Sequence, residues 1–274
     1  MNDKHHIYLI SDSTGETIDR IFLAITAQFK DFDYEDHQYS FTRTENQILQ
    51  ILDIAKKHTH SIILYTLVDN ELAKFLEKKA ETLNMPCLSV LGDLISNFSN
   101  IIHKTANYIP SAQYKLNDEY YKRIEAIQFT MNHDDGNAIE DIEQSEIILL
   151  GVSRTSKTPT SIYLANRGFK TSNIPLVNDN SIPEYLKKNP NEKCVIGLTA
   201  ESERLIEVRK NRMTSIKENK KINYTNINII ENEIKKAKAA FKKYKWPVVD
   251  VTRKSVEETA ASIIKIYEIR KENG

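Results

Sequence analysis

The stretch from Ile147 to Ala165 limits what this chain can fold into more than any other part of the sequence. The apolar run Ile147-Ile-Leu-Leu150 suits a buried strand, and it breaks at Gly151 into small, hydroxylated or basic residues. A helix-like segment follows, rich in Ile162, Leu164 and Ala165. This order is the layout of a phosphate-binding loop, in which backbone N–H groups near a helix N-terminus surround phosphate oxygens.

The residue types within this loop indicate separate roles. Lys157 is placed to reach the outer phosphate of a nucleotide, and the Thr158 hydroxyl is placed to hold Mg²⁺. Ser156 stands where the standard pattern has a glycine before the lysine, so the motif alone is less specific. The alternative is an ordinary turn in which Ser and Thr cap the helix and Lys157 is solvated. The density of hydroxyl and basic groups favours nucleotide binding by Gly151, Val152, Ser153, Arg154, Thr155, Ser156, Lys157 and Thr158.

Size and charge restrict the classes of function. The 274 residues, 40% of them hydrophobic, can form one large or two ordinary domains, and we expect two. Lys and Arg total 38, and Asp and Glu also total 38, so the whole chain has no charge bias towards nucleic acid or membranes. Affinity for phosphate must therefore come from a local site.

The sequence also predicts where the protein resides. No apolar stretch approaches the roughly 18 residues of a membrane-spanning helix, and no secretory segment is recognisable at the N-terminus. Cys87 and Cys194 are expected to be small buried side chains, which fits a reducing compartment. We expect a cytoplasmic protein with no nucleic-acid or membrane partner, and the sequence leaves a homodimer open.

Strand-like and helix-like segments alternate through the first half, which predicts a parallel sheet with helices on both faces. Residues 95–116 have weak periodicity, and we place the domain connection there, with domains at residues 1–105 and 106–274. No internal repeat is apparent in the sequence. The strands expected in the first domain are His6–Ile10, Tyr39–Thr42, Ser61–Thr66 and Cys87–Leu91, and those in the second are Ile147–Leu150, Lys170–Val177, Cys194–Leu198 and Pro247–Val251.

A hydroxyl-rich loop, Ser11-Asp-Ser-Thr-Gly-Glu-Thr17, follows the first predicted strand. Loops at the carboxyl end of a strand are where open α/β sheets bind ligands, so Ser13 and Thr14 are candidates for binding phosphate. The structural alternative is a capping box, since Ser13 and Glu16 have the spacing that satisfies the first N–H groups of a helix. The two interpretations are equally supported and can both hold.

The segment His133-Asp-Asp-Gly136 precedes the strand of the phosphate loop. Asp134 and Asp135 could supply a general base or a metal contact near a transferred phosphoryl group. A helix-ending turn with Gly136 at positive φ explains the same residues, and spacing alone favours that turn.

Arginines and histidines give weaker signals. Arg209 and Arg212 lie one turn apart on a predicted helix, with Arg204 near its start, and could clamp phosphates. For any single one of them the sequence favours a solvated arginine paired with Glu203 or Glu207. Asp250 could contact a metal from its strand, but it and the capping-box pair Ser255 and Glu258 are assigned structural roles. None of the seven histidines lies in a zinc-binding spacing, so no structural zinc is expected.

Taken together, these segments resemble the bacterial and plastid family of bifunctional regulatory proteins for pyruvate, phosphate dikinase, relatives of which regulate phosphoenolpyruvate synthase. They occur in the family's order over nearly the whole chain, and the serine before the lysine is part of the family pattern. The matching pieces are Ser11–Thr17, His133–Gly136, Gly151–Pro159, Ser161–Ala165, Asn173–Val177, Gly197–Thr199, Glu203–Leu205, Asp250–Thr252 and Ser255–Ala260.

The resemblance implies an ADP-dependent serine/threonine kinase that inactivates the dikinase by phosphorylating an active-site threonine. It also implies a second activity that removes this phosphate with inorganic phosphate and releases pyrophosphate. ADP, AMP, phosphate and pyrophosphate would then be its small ligands, with Mg²⁺ as the expected metal. Lys157 would stabilise the moving phosphoryl group, and Asp134 or Asp135 would act as the base. The choice between the two carboxylates stays open.

We therefore expect an α/β protein with an N-terminal Rossmann-like domain and a C-terminal phosphate-loop kinase-like domain, acting on the dikinase. The quoted motifs do not separate dikinase from synthase regulators. A nucleotide-sensing module without chemistry and an ATP-dependent small-molecule kinase remain alternatives.

Overall fold

The computed structural model describes residues 4–114, 116–137, 139–176, 181–216 and 222–273. The chain divides into two compact units, residues 1–115 and 116–274. Each unit contains a four-stranded sheet in which all pairs of neighbouring strands are parallel. The α/β prediction is confirmed. The end of the strand expected at Lys170–Val177 lies outside the described residues.

The first unit alternates strands and helices and has the strand order β2-β1-β3-β4. Its elements are β1 (His5–Ile10), α1 (Glu16–Thr26), β2 (Tyr34–Tyr39), α2 (Glu45–Ala55), β3 (Ser61–Tyr65), α3 (Asn70–Thr82), β4 (Cys87–Ser89), α4 (Gly92–Ile102) and a 3₁₀ turn at Ala112–Tyr114.

Two elements of the first unit differ from the sequence-based expectation. The strand expected at Tyr39–Thr42 is wrong, because β2 ends at Tyr39 and lies at the sheet edge. An edge strand can be polar, and β2 reads Tyr-Glu-Asp-His-Gln-Tyr without the expected apolar alternation. Helix α4 occupies the stretch of weak periodicity, and none of its residues is buried.

Alternation along β1 builds the core of this unit. Ile7 and Leu9 pack with Ile18 and Phe22 of α1 on one face, because successive strand residues point to opposite faces. Tyr8 and Ile10, on the opposite face of the strand, pack against α2 and α3. The strand is therefore buried on both sides, as expected for the centre of a parallel sheet.

The second unit repeats the same topology, with the strand order β6-β5-β7-β8. Its elements are α5 (Asp118–Asn132), 3₁₀ segments at Asp134–Gly136 and Ile139–Gln144, β5 (Ile147–Gly151), α6 (Lys157–Asn166), β6 (Thr171–Pro175), α7 (Glu184–Lys188), β7 (Cys194–Thr199), α8 (Ser202–Ile216), a 3₁₀ segment at Ile222–Thr225, α9 (Ile227–Lys243), β8 (Val248–Asp250) and α10 (Val256–Asn273).

One large apolar core holds the second unit together. All residues of β5 and β7 are buried, and Phe241 of α9 packs directly over Gly197, where a Cβ atom would lie 2.5 Å from the ring. This close approach requires glycine at position 197. The sheet order places a topological switch point between β5 and β7, where open α/β sheets bind ligands beyond the carboxyl ends of the strands.

Two smaller expectations concern burial. Cys194 is buried and Cys87 is half-buried, and both thiols are free. Among the described residues, the structure contains no helix of the length and apolar character needed to cross a membrane.

Candidate functional site

The loop of residues 151–158 leaves β5 at the switch point of the second sheet. A Cβ atom at Gly151 would lie 2.7 Å from the Leu198 carbonyl oxygen and from Thr155 Oγ1, so only glycine fits where the loop begins. Thr155 is fully buried, and its hydroxyl donates to the Val152 carbonyl at 3.0 Å. These contacts close the loop upon itself at the end of the strand.

Ser156 adopts the left-handed backbone conformation directly before helix α6, with φ of 58°. Glycine reaches this region without strain, which explains why glycine is usual at this position of a phosphate loop. The Ser156 side chain makes no capping hydrogen bond to the helix. The alternative in which this serine caps an ordinary turn is therefore wrong. The Ser156 side chain does not occupy the first N–H groups of α6.

Lys157 begins helix α6 and is 6% exposed, so the alternative of a solvated lysine is also wrong. Its Nζ donates to the Val152 carbonyl at 3.1 Å. Burial lowers the pKa of Lys157 to about 8, against the opposing charges of Asp135 and Asp134. Within the described part of the chain, its ammonium forms no ion pair with a carboxylate, so Asp134 and Asp135 offset the buried positive charge only in part.

The 3₁₀ turn at Asp134–Gly136 brings Asp134 to the first turn of α6. The Thr158 hydroxyl donates to Asp134 Oδ1 at 2.9 Å, and the Asn173 side-chain amide donates to the same oxygen. The turn favoured from spacing is present, with Gly136 at φ of 82°. The segment is therefore a turn, as its spacing favours, and it also places Asp134 beside the loop.

Asp135 has a different environment from its neighbour. Its backbone is left-handed, with φ of 56°, and its N–H donates to Asn173 Oδ1 at 3.1 Å. The side chain is exposed, and no described residue forms a hydrogen bond or ion pair with its carboxylate. Asn173, on the neighbouring strand β6, thus holds the Asp134 carboxylate and the Asp135 backbone. The sequence did not indicate this role for Asn173.

His133 is a second residue whose position the sequence did not indicate. It is buried, its Nδ1 lies 2.8 Å from the Phe129 carbonyl oxygen, and its Nε2 has no partner among the described residues. Because a ring nitrogen facing a carbonyl carries a proton, Nδ1 is the donor to Phe129, which fixes the orientation of the ring. His133 also accepts a hydrogen bond from the Asn173 N–H through its carbonyl.

Arg209 supports the loop from helix α8. It is 1% exposed, pairs with Glu233 at 2.7 Å and donates to the Ser153 carbonyl at 3.2 Å. The expected pairing of Arg209 with Glu203 or Glu207 is wrong, whereas Arg204 does pair with Glu207. Arg212 is exposed, and the structure does not bring it to the loop.

Tyr224, from the 3₁₀ segment before α9, completes this support. Its hydroxyl lies 3.2 Å from Ser153 Oγ and accepts from Arg154 Nε at 3.1 Å. The guanidinium of Arg209 lies over its ring at 4.8 Å from the centroid. Burial alone would raise the pKa of Tyr224, but these hydrogen bonds and both positive charges lower it.

The loop after β1 lines a cavity of about 260 Å³ within the first unit. Ser13 Oγ lies 2.9 Å from Ser111 Oγ, and Thr14 Oγ1 lies 2.9 Å from the Tyr114 hydroxyl. Helix α1 begins after Gly15 without a side-chain cap, so the capping box between Ser13 and Glu16 is wrong. Both hydroxyls lie at the carboxyl edge of the first sheet.

The structural roles assigned near the C-terminus are observed. Ser255 and Glu258 form a reciprocal capping box at the start of α10, with hydrogen bonds of 3.1 and 2.8 Å. Asp250 accepts hydrogen bonds from the Thr252 N–H and hydroxyl, which lower its pKa despite the opposing effect of burial.

Fold and site together define an α/β protein with two parallel sheets and a buried lysine in the loop that leaves the second sheet. The family model described as kinase/pyrophosphorylase matches residues 7–264. The chain belongs to this family, which marks it as a phosphotransferase, and the resemblance seen in the motifs is confirmed.

The relatives carry a more specific name. A protein of Pelagibacter ubique (strain HTCC1062) is 65% identical over the full length of both chains. Relatives from Sphingopyxis alaskensis and Maricaulis maris are 44% and 42% identical, and the matches cover 97% and 95% of this chain and 97% and 92% of theirs. All three are named "Putative pyruvate, phosphate dikinase regulatory protein".

Proposed function

We propose that the protein transfers the β-phosphoryl group of ADP to a threonine of pyruvate, phosphate dikinase, and removes that phosphate with inorganic phosphate. The observation that carries the proposal is the buried ammonium of Lys157, which has no ion-pair partner among the described residues and lies in a loop at the start of a helix. A buried charge of this kind is costly unless an anion compensates it.

The loop supplies the binding site for the diphosphate. Helix α6 begins where the loop ends, its N-cap makes no side-chain hydrogen bond, and the N–H groups and dipole of a helix N-terminus favour negative charge. Lys157 neutralises the phosphoryl group that moves between ADP and threonine. Arg209 holds the Ser153 carbonyl and so fixes the path of the loop, without itself needing to contact the nucleotide.

The donor set beside the loop fits Mg²⁺. The Thr158 hydroxyl and the Asp134 carboxylate are hard oxygen ligands only 2.9 Å apart, and Mg²⁺ prefers oxygen ligands together with substrate phosphates. When bound, Mg²⁺ neutralises charge on the phosphates. Asp134 and Thr158 would hold it, and Asn173 would orient Asp134.

Asp135 is the better candidate for the base. Asp134 Oδ1 is occupied by Thr158 and Asn173, whereas the exposed Asp135 carboxylate has no partner among the described residues. In the kinase direction, the threonine hydroxyl attacks the β-phosphorus and the bond to the α–β bridging oxygen breaks. AMP leaves, and the hydroxyl proton passes to Asp135.

The second reaction uses the same groups. Inorganic phosphate occupies the loop and its oxygen attacks the phosphorus of phosphothreonine. Asp135 takes the proton of the attacking phosphate and passes it to the leaving threonine oxygen, so the products are pyrophosphate and threonine. One loop serves both directions because each reaction requires two phosphoryl groups in contact at the moment of transfer.

The names of the relatives support the dikinase as the protein partner. A regulator of phosphoenolpyruvate synthase with the same chemistry is the second candidate, because the loop binds phosphate groups and does not distinguish between the two protein substrates. The test incubates the purified protein with phosphohistidine-bearing dikinase or synthase and with ADP or ATP. Threonine phosphorylation with release of AMP from ADP is expected for the dikinase, and failure to release AMP would reject the proposal.

A nucleotide-sensing module without chemistry predicts a different outcome. Such a module would regulate its partner equally well after replacement of Asp134 and Asp135 by Asn. On the proposed function, the double variant still folds but forms no phosphothreonine. Mass spectrometry of the dikinase after incubation separates the two cases.

A further inference from the structure

Three histidines meet on one face of the first sheet, at its amino edge. Residue pairing places Tyr8 of β1 opposite His37 of β2 and His6 opposite Glu35. Because side chains alternate along a strand, His6, Tyr8 and His37 share the face that packs against α2. His58 follows the end of α2 at Ala55 and returns to this face.

The three imidazoles are close enough to share one ion. A ligand nitrogen from each of His6, His37 and His58 lies within 4.8 Å of the others, and His6 Nδ1 is 3.0 Å from His37 Nε2. Zinc bound to imidazole at about 2.0–2.1 Å in a tetrahedron needs nitrogens about 3.3 Å apart. Small side-chain rotations therefore convert this cluster into three ligands.

A neighbouring group already orients one ring. The Tyr8 hydroxyl lies 2.7 Å from His58 Nδ1, and Tyr8 itself is fully buried in the core. Metal-binding histidines usually have such a second partner on the ring, which fixes the direction of the ligand nitrogen. All three histidines are half-buried, so the cluster remains accessible to an ion from solvent.

We propose that His6, His37 and His58 bind a Zn²⁺ ion at the amino edge of the first sheet, with water in the fourth position. Imidazole ligands suit zinc, copper and nickel, whereas Mg²⁺ and Ca²⁺ prefer oxygen. The nearest acidic side chain in the strand register, Glu35, is paired with Lys4 at 3.0 Å. The ion ties the edge strand β2 to β1 and to the end of α2.

This site was not expected from the sequence because its ligands come from two strands and the end of a helix. Zinc spacings recognisable in a sequence place ligands a few residues apart in pairs. Here the parallel register and the return of the chain after α2 create the cluster. It is built within the first unit, from residues other than those of the kinase loop, so its test is independent of the proposed function.

The test titrates ZnCl₂ into chelator-treated full-length protein, in excess Mg²⁺, by calorimetry. Saturable binding of one ion is expected, and His37→Ala and His58→Ala should each weaken it at least about 100-fold. Tyr8→Phe should weaken it about tenfold, because loss of an orienting partner costs that much in affinity. His103→Asn is the matched control, since it removes an imidazole of the same unit and asparagine tolerates its φ of 53°.

Co²⁺ gives a readout that does not depend on how the variants fold. Tetrahedral Co²⁺ absorbs strongly in the visible region, so the wild-type protein should develop these bands and lose them when Zn²⁺ is added. Absence of the bands from the wild-type protein, or equal zinc affinity in well-folded His37→Ala, would overturn the proposal.

Discussion

The hydroxyl of Thr158 donates to Oδ1 of Asp134 across 2.9 Å. This bond joins the first turn of α6 to the 3₁₀ turn that precedes β5, two segments separated by the whole of that strand. Asn173 holds the same carboxylate oxygen from the neighbouring strand. The acidic turn and the loop are therefore linked, with the Asp134 carboxylate held in place and the Asp135 carboxylate without a partner among the described residues.

The two aspartates should respond differently to the same substitution. Asp135→Asn removes the proposed base, so kcat for threonine phosphorylation should fall about 10²–10⁴-fold while the affinity for ADP is retained. Asp134→Asn should also weaken binding of ADP with Mg²⁺, because a metal ligand is lost. Single-turnover kinetics and calorimetry measure the two quantities, and an unchanged kcat in Asp135→Asn would contradict the assignment.

Replacement of Lys157 by methionine should stabilise the protein and abolish nucleotide binding. A pKa lowered from 10.5 to about 8 corresponds to about 3 kcal/mol of cost for burying the ammonium at neutral pH. The Val152 carbonyl keeps the Thr155 hydroxyl as a donor when the lysine is lost.

Urea unfolding should therefore show Lys157→Met to be about 1–3 kcal/mol more stable than the wild type. Lys236→Met, at an exposed position of α9, serves as the control and should change stability by less than about 0.5 kcal/mol. A lower stability of Lys157→Met would show that the ammonium is compensated within the folded protein.

Binding of ADP should take up a proton in mildly alkaline solution. The folded pKa of Lys157, about 8, lies below the ordinary value of 10.5, so the free protein loses this charge as the pH rises above about 8. Phosphate oxygens favour the ammonium and raise its pKa again. Stability contributed by this group rises between these two values, because only the unfolded chain still binds the proton there.

Calorimetry in buffers of different ionisation enthalpy measures this uptake directly. We expect up to one proton per ADP near pH 9, where the phosphates are fully ionised, and little uptake from this lysine below pH 7. Affinity for ADP should weaken above pH 8 in the wild type. A pH-independent affinity across this range would place the lysine pKa elsewhere.

Ser156 carries backbone strain that glycine would remove. Its φ of 58° costs a side-chain-bearing residue about 1 kcal/mol, and its hydroxyl makes no cap. Ser156→Gly should stabilise the protein by about 1 kcal/mol, whereas Ser156→Ala should not. If ADP affinity falls equally in both variants, the hydroxyl itself contacts the phosphate.

Arg209 and Arg212 form a matched pair for testing support of the loop. Arg209→Met removes the partner of Glu233 and the donor to the Ser153 carbonyl, and should cost about 2 kcal/mol and weaken ADP binding. Arg212→Met, at an exposed position, should change stability by less than about 0.5 kcal/mol. Chemical denaturation and calorimetry on both variants decide the matter, and equal effects would remove the proposed role of Arg209.

The phosphate loop could be predicted because strand, loop and helix are contiguous in sequence. Its partners could not, since Asn173, Arg209 and Tyr224 reach it through neighbouring strands and helices. Helical spacing alone could not distinguish the buried Arg209 from the exposed Arg212. Strand β2 was misplaced for a related reason, because an edge strand need not alternate apolar and polar residues.

The shared strand order of the two sheets was also invisible in the sequence. Each unit places a loop after its first strand at the switch point, yet the two loops have different residues. Strand order depends on which strands pair in the sheet, and many different sequences are compatible with the same order. A search for repeated residues therefore finds nothing where the topology is repeated.

The hydrogen bonds that Asn173 forms with both aspartates have an evolutionary consequence. One amide side chain accepts from the Asp135 N–H and donates to Asp134, so a side chain that lacks either a donor or an acceptor loses one of the two contacts. Because the contact at position 135 is made by the backbone N–H, only positions 134 and 173 are coupled through their side chains, and these two should change together or not at all across related sequences. Substitution of Asn173 on β6 would thus be constrained by an acidic turn that lies before β5 in the chain.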